Sequence, residues 1–326
     1  MQRPIPLNAL TLYADLDQSL AGGTGAPGTI SRRQENGQRR LYATIREGLR
    51  RRQVYLGSVG DREAEAAAQR YRVDMEQARQ RRSTVSALKR LGIPAPPLEA
   101  GRVLEALSRA GLFEAGGVLV GTTAYQCYPC IVGHMLPSAS LVTRDVDLSI
   151  ARIAVPRLSA LGRPLEEILQ EADPSFRADM RGEQAPKSYR NRAGFSVDLL
   201  TTPGRRDEPV LVKGLGTFAV PLPFMDFLIA EPISAVALYG RGVRVTLPSP
   251  ARFALHKLLI ARRRTLQRQK APKDVAQAWA LIEALGAFDA DALADGLDAA
   301  RRRGGDLKAI AGDVEATLAS AGSSTS

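Results

Sequence analysis

Alternation of apolar and polar positions predicts a small antiparallel sheet near the start of the chain. Three strand-like segments follow one another, at residues 29–34, 40–46 and 51–56. The dipeptide Asn36-Gly37 between the first two segments is a strong hairpin signal. Within the second segment, Tyr42 and Thr44 fall on one face and Leu41 and Ala43 on the other. The sheet is therefore expected to bury one face and to expose the other.

Helical spacing of apolar residues follows this sheet and returns towards the end of the chain. It predicts helices at residues 61–91, 103–110, 157–171, 250–264 and 272–285. The prolines within residues 93–97 cannot continue the first helix and form a linker. We therefore expect an N-terminal basic β-arm (1–60), a connecting helix with a Pro-rich linker (61–96), an α+β domain (97–248), a C-terminal helical part (249–317) and a disordered tail (318–326).

Two carboxylates share one predicted strand in the α+β domain. Asp145 and Asp147 alternate with the apolar residues Val146 and Leu148. The acidic side chains therefore project from one face of the strand and the apolar side chains from the other. Carboxylates this close repel each other unless a cation lies between them. Because hard cations such as Mg²⁺ prefer oxygen ligands of this kind, the pair indicates a metal site.

Two further segments give this pair its context. Upstream, the apolar strand at 116–120 ends in Gly121-Thr122, where a glycine permits close approach to a phosphate and a threonine hydroxyl can bind it. Downstream, Asp198 stands in the apolar strand at 195–200. Taken alone, Asp198 is most simply interpreted as a solvated strand residue. The order of strand, Gly-Thr turn, Asp-x-Asp strand and later Asp strand is much rarer.

This order resembles the nucleotidyltransferases of the DNA polymerase β superfamily. Residues 221–228, 243–258 and 270–279 resemble a bacterial nucleotidyltransferase-like family within it, and the resemblance covers residues 100–290. It implies an α+β, polymerase-β-type nucleotidyltransferase domain at 97–248. It further implies a bound nucleoside triphosphate (NTP) at Gly121, Thr122 and Lys257, and catalytic carboxylates that hold two Mg²⁺ or Mn²⁺ ions, namely Asp145, Asp147 and Asp198. The gap between Thr122 and Asp145 exceeds the usual spacing, which predicts an insertion around 125–140.

The positive net charge indicates a polyanionic partner. The formal net charge is +11 and the isoelectric point about 10.0, and such a field attracts nucleic acid or nucleotides. The arginines are densest in the predicted small sheet, where a nucleic-acid acceptor would meet Arg32, Arg33, Arg39, Arg40, Arg50, Arg51 and Arg52. The alternative is a basic meander that only packs on the main domain.

Composition excludes several other classes of protein. The sequence has no apolar run of membrane-spanning length and no signal-peptide core, and two cysteines do not make a secreted disulfide scaffold. We therefore expect a cytoplasmic protein with no membrane partner. Cys127 and Cys130 precede His134 but lack the complete ligand set of a zinc site, so two buried thiols are expected. His256 has apolar neighbours and is expected to be a core residue.

The preferred function is metal-dependent transfer of a nucleoside monophosphate from an NTP to an acceptor hydroxyl, with RNA as the candidate acceptor. One alternative is a catalytically inactive nucleic-acid-binding protein. Another is a toxin-type nucleotidyltransferase that modifies RNA or protein. Lys257, the arginines at 262–264 and Lys273-Asp274 resemble the type IV toxin nucleotidyltransferases of abortive-infection systems.

Overall fold

The computed structural model describes residues 2–22, 28–47, 50–137, 145–179, 186–205, 208–264 and 268–323. Over these residues the architecture is mixed α+β, as predicted. It combines a three-stranded sheet, a larger mixed sheet and a two-stranded hairpin with helices. Within the described residues, no helix is both long and apolar enough to cross a membrane.

Helices and strands alternate through most of the chain. The helices are α1 (Leu7–Ala21), α2 (Arg62–Arg90), α3 (Leu98–Arg109), α4 (Gly121–Tyr125), α5 (Val155–Ser159), α6 (Leu165–Ala172), α7 (Met225–Leu228), α8 (Pro250–Arg263), α9 (Ala271–Phe288), α10 (Ala290–Arg303) and α11 (Gly305–Ser323). The strands are β1 (Gly28–Glu35), β2 (Gln38–Glu47), β3 (Arg50–Ser58), β4 (Gly117–Val120), β5 (Asp145–Ile150), β6 (Arg177–Ala178), β7 (Ser188–Arg190), β8 (Ser196–Thr201), β9 (Val210–Val212), β10 (Thr217–Pro221), β11 (Ile233–Ala237) and β12 (Val243–Leu247).

The predicted N-terminal sheet is confirmed, with strand order β1-β2-β3 and antiparallel pairing throughout. Asn36 and Gly37 both adopt positive φ in the turn between β1 and β2, as the tight turn of such a hairpin requires. Leu41 on the apolar face packs against Ala64 and Ala68 of α2. Helix α2 therefore covers one face of the sheet and leaves the other to solvent.

Helix α1 packs on the larger part of the molecule rather than on the small sheet. Leu16 and Leu20 share a buried cluster with Val85 of α2 and Val236 of β11. The Tyr13 hydroxyl accepts a hydrogen bond of 2.8 Å from the Val236 backbone N–H. Because α2 already covers the apolar face of the small sheet, the apolar stripe of α1 is buried elsewhere. The small sheet therefore comprises β1–β3, and α1 packs apart from it.

The central sheet has strand order β4-β5-β8-β10-β9. Strands β5, β8 and β10 are parallel to one another, and β4 and β9 are antiparallel edge strands. The hairpin of β6 and β7 joins the free edge of β8 in antiparallel register. Val146, Leu148, Val197 and Leu199 are buried on one face, so their neighbours in β5 and β8 belong to the opposite face.

The helix predicted at 157–171 is divided into α5 and α6. Gly162 has a φ of +63° between them, a left-handed conformation that favours glycine. Pro164 then takes the N-cap position of α6. The apolar period continues on both sides of this break, so periodicity alone does not reveal the Gly-x-Pro interruption.

The C-terminal helices share one hydrophobic core with the central sheet. The two predicted helices are confirmed as α8 and α9, and α10 and α11 follow them. Ser249 caps α8 by accepting a hydrogen bond from the Arg252 backbone N–H, with Pro250 in the first turn. Phe253 and Leu281 belong to the same buried cluster as the strands. The 249–317 part is therefore a layer over the sheet rather than a separate core.

Helix α11 extends further than the predicted end of ordered structure. It runs to Ser323, and Leu318 packs against the main core. Residues 318–323 are therefore helical instead of forming the start of a disordered tail. The small residues of this segment permit a helix, and the apolar contact of Leu318 anchors it. Residues 324–326 lie outside the described residues.

Candidate active site

Strand register brings the three predicted carboxylates to one face of the central sheet. In the parallel pair of β5 and β8, Asp147 lies opposite Asp198, and Asp145 lies opposite Ser196. Residues paired in this way project from the same face, and the intervening Val146 is buried on the other. The register therefore places Asp198 next to Asp147, as predicted, but the described side chains do not bring three carboxylates within reach of one cation.

Burial and crowding change the protonation of Asp147. Burial first, and then the charges of Asp145 and Asp198, raise the pKa of Asp147 from 3.8 to about 7. The positive charges of Lys257 and Lys270 act in the opposite direction. The predicted rise in the pKa of one of these carboxyl groups is therefore confirmed. The sheet face carries negative charge that a bound cation would stabilise.

Gly121 follows β4 and lies directly against the Asp147 carboxylate. Its φ is +71°, and a Cβ at this position would overlap the Oδ2 atom of Asp147. The register explains the contact, because Val120 is the strand partner of Asp147. Thr123 ties the same turn to β5 by donating a hydrogen bond of 3.2 Å to the Asp145 backbone carbonyl. The turn of Gly121 and the half-exposed Thr122 therefore borders the carboxylates.

Lys257 on α8 pairs with a carboxylate outside this group. Its Nζ lies 2.7 Å from Oδ1 of the buried Asp274 on α9, and Arg264 binds Oδ2 of the same carboxylate at 2.9 Å. The Lys257 charge nevertheless reaches the site, since it lowers the pKa of Asp147. Lys257 is therefore held by Asp274 and acts on the acidic face through its charge.

Two more lysines, which the sequence analysis did not single out, interact electrostatically with the carboxylates. Lys270 acts on the pKa of Asp147. The pKa of Lys273 is lowered by burial and by the Lys257 charge, while Asp145 acts to raise it. Their i, i+3 spacing at the start of α9 would place both on one helix face. That spacing is the signal that could have identified them.

The two cysteines are buried, and His256 is half-buried. Burial and the adjacent Lys257 charge lower the pKa of His256 to about 4, so its ring is neutral at pH 7. Burial raises the pKa of both Cys127 and Cys130 to about 12, and neither thiol forms a disulfide. The prediction of two buried thiols is confirmed, whereas His256 is only half-buried and its Nε2 atom has no hydrogen-bond partner among the described residues.

The donor chemistry of the acidic face suits a hard divalent cation. Carboxylate oxygens are the ligands that Mg²⁺ and Mn²⁺ prefer, and after burial the charges of Asp145 and Asp198 contribute to the raised pKa of Asp147. In the part of the chain that is described, however, no three His, Cys, Asp or Glu side chains form a ready-made metal site. The Asp147 carboxylate is instead packed against Gly121. The three carboxylates therefore suit a divalent cation in their ligand type and in their shared face of the sheet, which the strand register sets.

The N-terminal sheet has a solvent-facing surface on which aromatic and basic side chains interleave. Tyr42 and Tyr55 are strand partners with ring centroids 5.4 Å apart. The guanidinium of Arg33 lies 5.6 Å from the centre of the Tyr42 ring, and that of Arg40 lies 5.7 Å from the Tyr55 ring. Register places Arg51 on this face as well. We call this surface the tyrosine face.

The seven predicted arginines of the β-arm do not form one patch. Alternation puts Arg32, Arg39 and Arg52 on the face opposite to Tyr42, although their side chains remain exposed. The side chain of Arg50 lies outside the described residues. Only part of the arginine cluster therefore accompanies the tyrosines.

The sequence profile of a family described as Nucleotidyltransferase matches residues 98–301. The match begins with α3 and ends in α10. It includes the three carboxylates, the Gly121-Thr122 turn and Lys257, and it excludes the N-terminal sheet. No curated protein and no solved structure gives a significant match. Since the profile covers more than half of the chain, the protein belongs to this nucleotidyltransferase family.

Proposed function

We propose that the protein transfers a nucleoside monophosphate from an NTP to an acceptor hydroxyl and releases pyrophosphate, as polymerase-β-type nucleotidyltransferases do. The observation that carries the proposal is the register of Asp145, Asp147 and Asp198 on one sheet face, beside the Gly121-Thr122 turn. Membership of a nucleotidyltransferase family supports this reaction class.

Asp145, Asp147 and Asp198 would hold the two divalent cations, Mg²⁺ or Mn²⁺. When bound, these ions supply charge stabilisation to the attacking and leaving oxygens of the phosphoryl group. Their presence would also favour the ionised form of Asp147, whose pKa lies near 7 in their absence.

The triphosphate tail would bind between the Gly-Thr turn and the lysines. Gly121 leaves room for close backbone approach, and the Thr122 hydroxyl can donate to a phosphate oxygen. Lys257 keeps one of its three ammonium donors on Asp274, so its remaining donors are available to the triphosphate. The charges of Lys270 and Lys273 would stabilise the same anion.

The acceptor would enter from the side of β8 that is farther from Gly121. Asp198 lies on β8, one strand farther from Gly121 than Asp147, and would accept the proton of the acceptor hydroxyl. The hydroxyl oxygen then attacks the α-phosphorus in line with the bridging oxygen. The new P–O bond forms as the bond to the β-phosphate bridge breaks, and pyrophosphate leaves with the displaced electron pair.

A nucleic acid is the acceptor class that the surface supports, and RNA is the candidate. The tyrosine face combines the exposed Tyr55 ring and the half-buried Tyr42 ring with guanidinium groups, of which that of Arg40 pairs with Glu35. Bases stack on such rings while arginines neutralise the backbone. The interleaving of aromatic and basic side chains favours this role over a purely structural meander.

The second candidate function is nucleic-acid binding without catalysis. It is favoured by the finding that the described side chains do not form a ready-made three-ligand metal site. The intact set of three carboxylates on one face favours the transferase instead. A toxin-type enzyme would share the chemistry and differ in its acceptor.

Incubation with each α-phosphate-labelled NTP, Mg²⁺ or Mn²⁺, and total cellular RNA tests the proposal. We expect metal-dependent transfer of label by the wild type and by Asp15→Asn, a control at an exposed position of α1, and loss of transfer in Asp198→Asn. RNA binding without label transfer from any NTP would contradict the transferase and support the second candidate.

A further inference from the structure

We infer that the central sheet carries a separate phosphate-binding pocket for a single-stranded polynucleotide acceptor, formed by Arg177, Arg190 and Arg192. This inference rests on the proposed function, because it assigns the acceptor to the side of the carboxylates away from the triphosphate. None of the three arginines belongs to the proposed catalytic set or to the tyrosine face.

Strand register aligns two of these arginines with the carboxylates. Asp145 pairs with Ser196, Ser196 pairs with Arg190, and Arg190 pairs with Arg177. All four therefore project from the same face, in a row that crosses β5, β8, β7 and β6. At about 4.8 Å between strands, Arg190 starts about 10 Å from Asp145 and Arg177 about 14 Å from it. The row runs from negative to positive charge.

A cavity of about 660 Å³ lies at the positive end of this row. Its lining comprises Ser175, Arg177, Ala178, Asp179, Arg190, Asn191 and Arg192. Three guanidinium groups against one carboxylate give the lining a net positive charge, and the Arg177 guanidinium is already held in place because its Nη1 donates to the Pro174 and Phe176 backbone carbonyls at 2.9 and 2.6 Å. Its volume is in the range of pockets that hold a nucleotide-sized ligand, and guanidinium groups bind phosphate through paired hydrogen bonds.

Hydrogen bonds hold the floor of this pocket in place. The buried Asn191 donates to Asp173 at 2.9 Å and accepts from the Phe195 backbone N–H at 2.8 Å. The Ser175 hydroxyl donates to Asp173 at 2.8 Å and accepts from the Arg192 backbone N–H at 3.1 Å. The segments that carry Arg190 and Arg192 are therefore positioned before any ligand binds, which lowers the entropic cost of binding.

The order of groups along the sheet supports a polynucleotide acceptor as the ligand. The Gly121 turn lies at the β4 end, the carboxylates on β5 and β8, and the arginines on β7, β6 and the adjoining loop. In-line displacement requires the attacking and leaving oxygens on opposite sides of the phosphorus. If pyrophosphate leaves at the β4 end, the acceptor approaches from the arginine end. A single-stranded polynucleotide with its terminal hydroxyl at Asp198 would then place its preceding phosphates over Arg190.

Binding of a short fluorescein-labelled single-stranded RNA to the full chain, without NTP, tests the pocket. We expect Arg190→Gln to weaken binding about tenfold, the loss of one charge-assisted contact, and Arg190→Gln/Arg192→Gln to weaken it further. Each lost contact should lower the salt dependence of binding by about 0.7. The control is Arg157→Gln, an exposed arginine of α5 outside the pocket, which should bind as the wild type does.

The outcomes separate this inference from the proposed function. Wild-type RNA affinity and salt dependence in the double variant would overturn the pocket, even if nucleotide transfer occurs. Weakened RNA binding in the variants would support the pocket, even if no NTP serves as a substrate. Competition with inorganic phosphate decides the ligand class. If the variants lose phosphate binding but retain RNA binding, the pocket takes free anions only and the inference is wrong.

Discussion

Replacing Asp147 by asparagine removes one negative charge from the crowded sheet face while preserving the shape of the side chain. The pKa of Asp147 is raised to about 7 by burial and by Asp145 and Asp198. The folded protein therefore keeps this proton at pH values where the unfolded chain has lost it. We expect the Asp147→Asn protein to be more stable than the wild type at neutral pH in the absence of divalent cations.

The size and pH dependence of this effect follow from linkage. Because the folded-state pKa is raised, the wild type loses stability as the pH rises from 3.8 to about 7. The difference between these two values corresponds to about 4 kcal/mol, at about 1.4 kcal/mol per pKa unit. Relaxation around the ionised group makes this an upper bound. The stability advantage of Asp147→Asn should be small near pH 4 and largest near pH 8.

Denaturant unfolding of both proteins at about pH 4 and about pH 8 measures this difference directly. Asp15→Asn, on the exposed surface of α1, is the control for a change of net charge and should show no such pH dependence. Mg²⁺ at pH 8 should stabilise the wild type more than Asp147→Asn. An advantage that does not change with pH, or a variant less stable than wild type at pH 8, would refute the reasoning.

Three further changes test other parts of the structure. Gly121→Ala places a Cβ against the Asp147 carboxylate at a position with positive φ. We expect chemical denaturation to show about 1–3 kcal/mol lower stability, and we expect nucleotide transfer to be lost. An active and fully stable variant would contradict the contact between Gly121 and Asp147. Asp274→Asn breaks a buried ion-pair network and should lower the free energy of unfolding by about 3 kcal/mol. Asp313→Asn, in an exposed ion pair, should lower it by less than about 1 kcal/mol. Equal losses in thermal unfolding would refute the structural role of the Asp274 network. Tyr55→Ala should weaken single-stranded RNA binding by about 1–3 kcal/mol and leave NTP binding unchanged in titrations; unaltered RNA affinity would show that the tyrosine face is structural.

Features of short range were predictable from the sequence. Asn36-Gly37 determines its own turn, because both residues tolerate positive φ. Asp145 and Asp147 share a face in any strand, since the side-chain period is two. Ser249-Pro250 starts α8 through its own hydroxyl and ring geometry. In each case the physical cause lies within a few residues of the chain.

Interruptions and partners in packing were harder to predict. The break between α5 and α6 depends on Gly162 and Pro164, which the apolar period on both sides concealed. The location of α1 depends on which apolar surface remains uncovered once α2 has packed on the small sheet. Competition between surfaces of this kind is a property of the whole chain.

The sequence alone determined which residues alternate, which turns form and which carboxylates lie on strands. Only the tertiary structure decided that β8 lies parallel to β5 with Asp198 opposite Asp147, and that Lys257 meets Asp274. It also decided that Arg190 stands in one row with Asp145. The physical reason is that distant strands pair so as to bury their apolar faces together, and the register that achieves this sets the neighbours on the polar face.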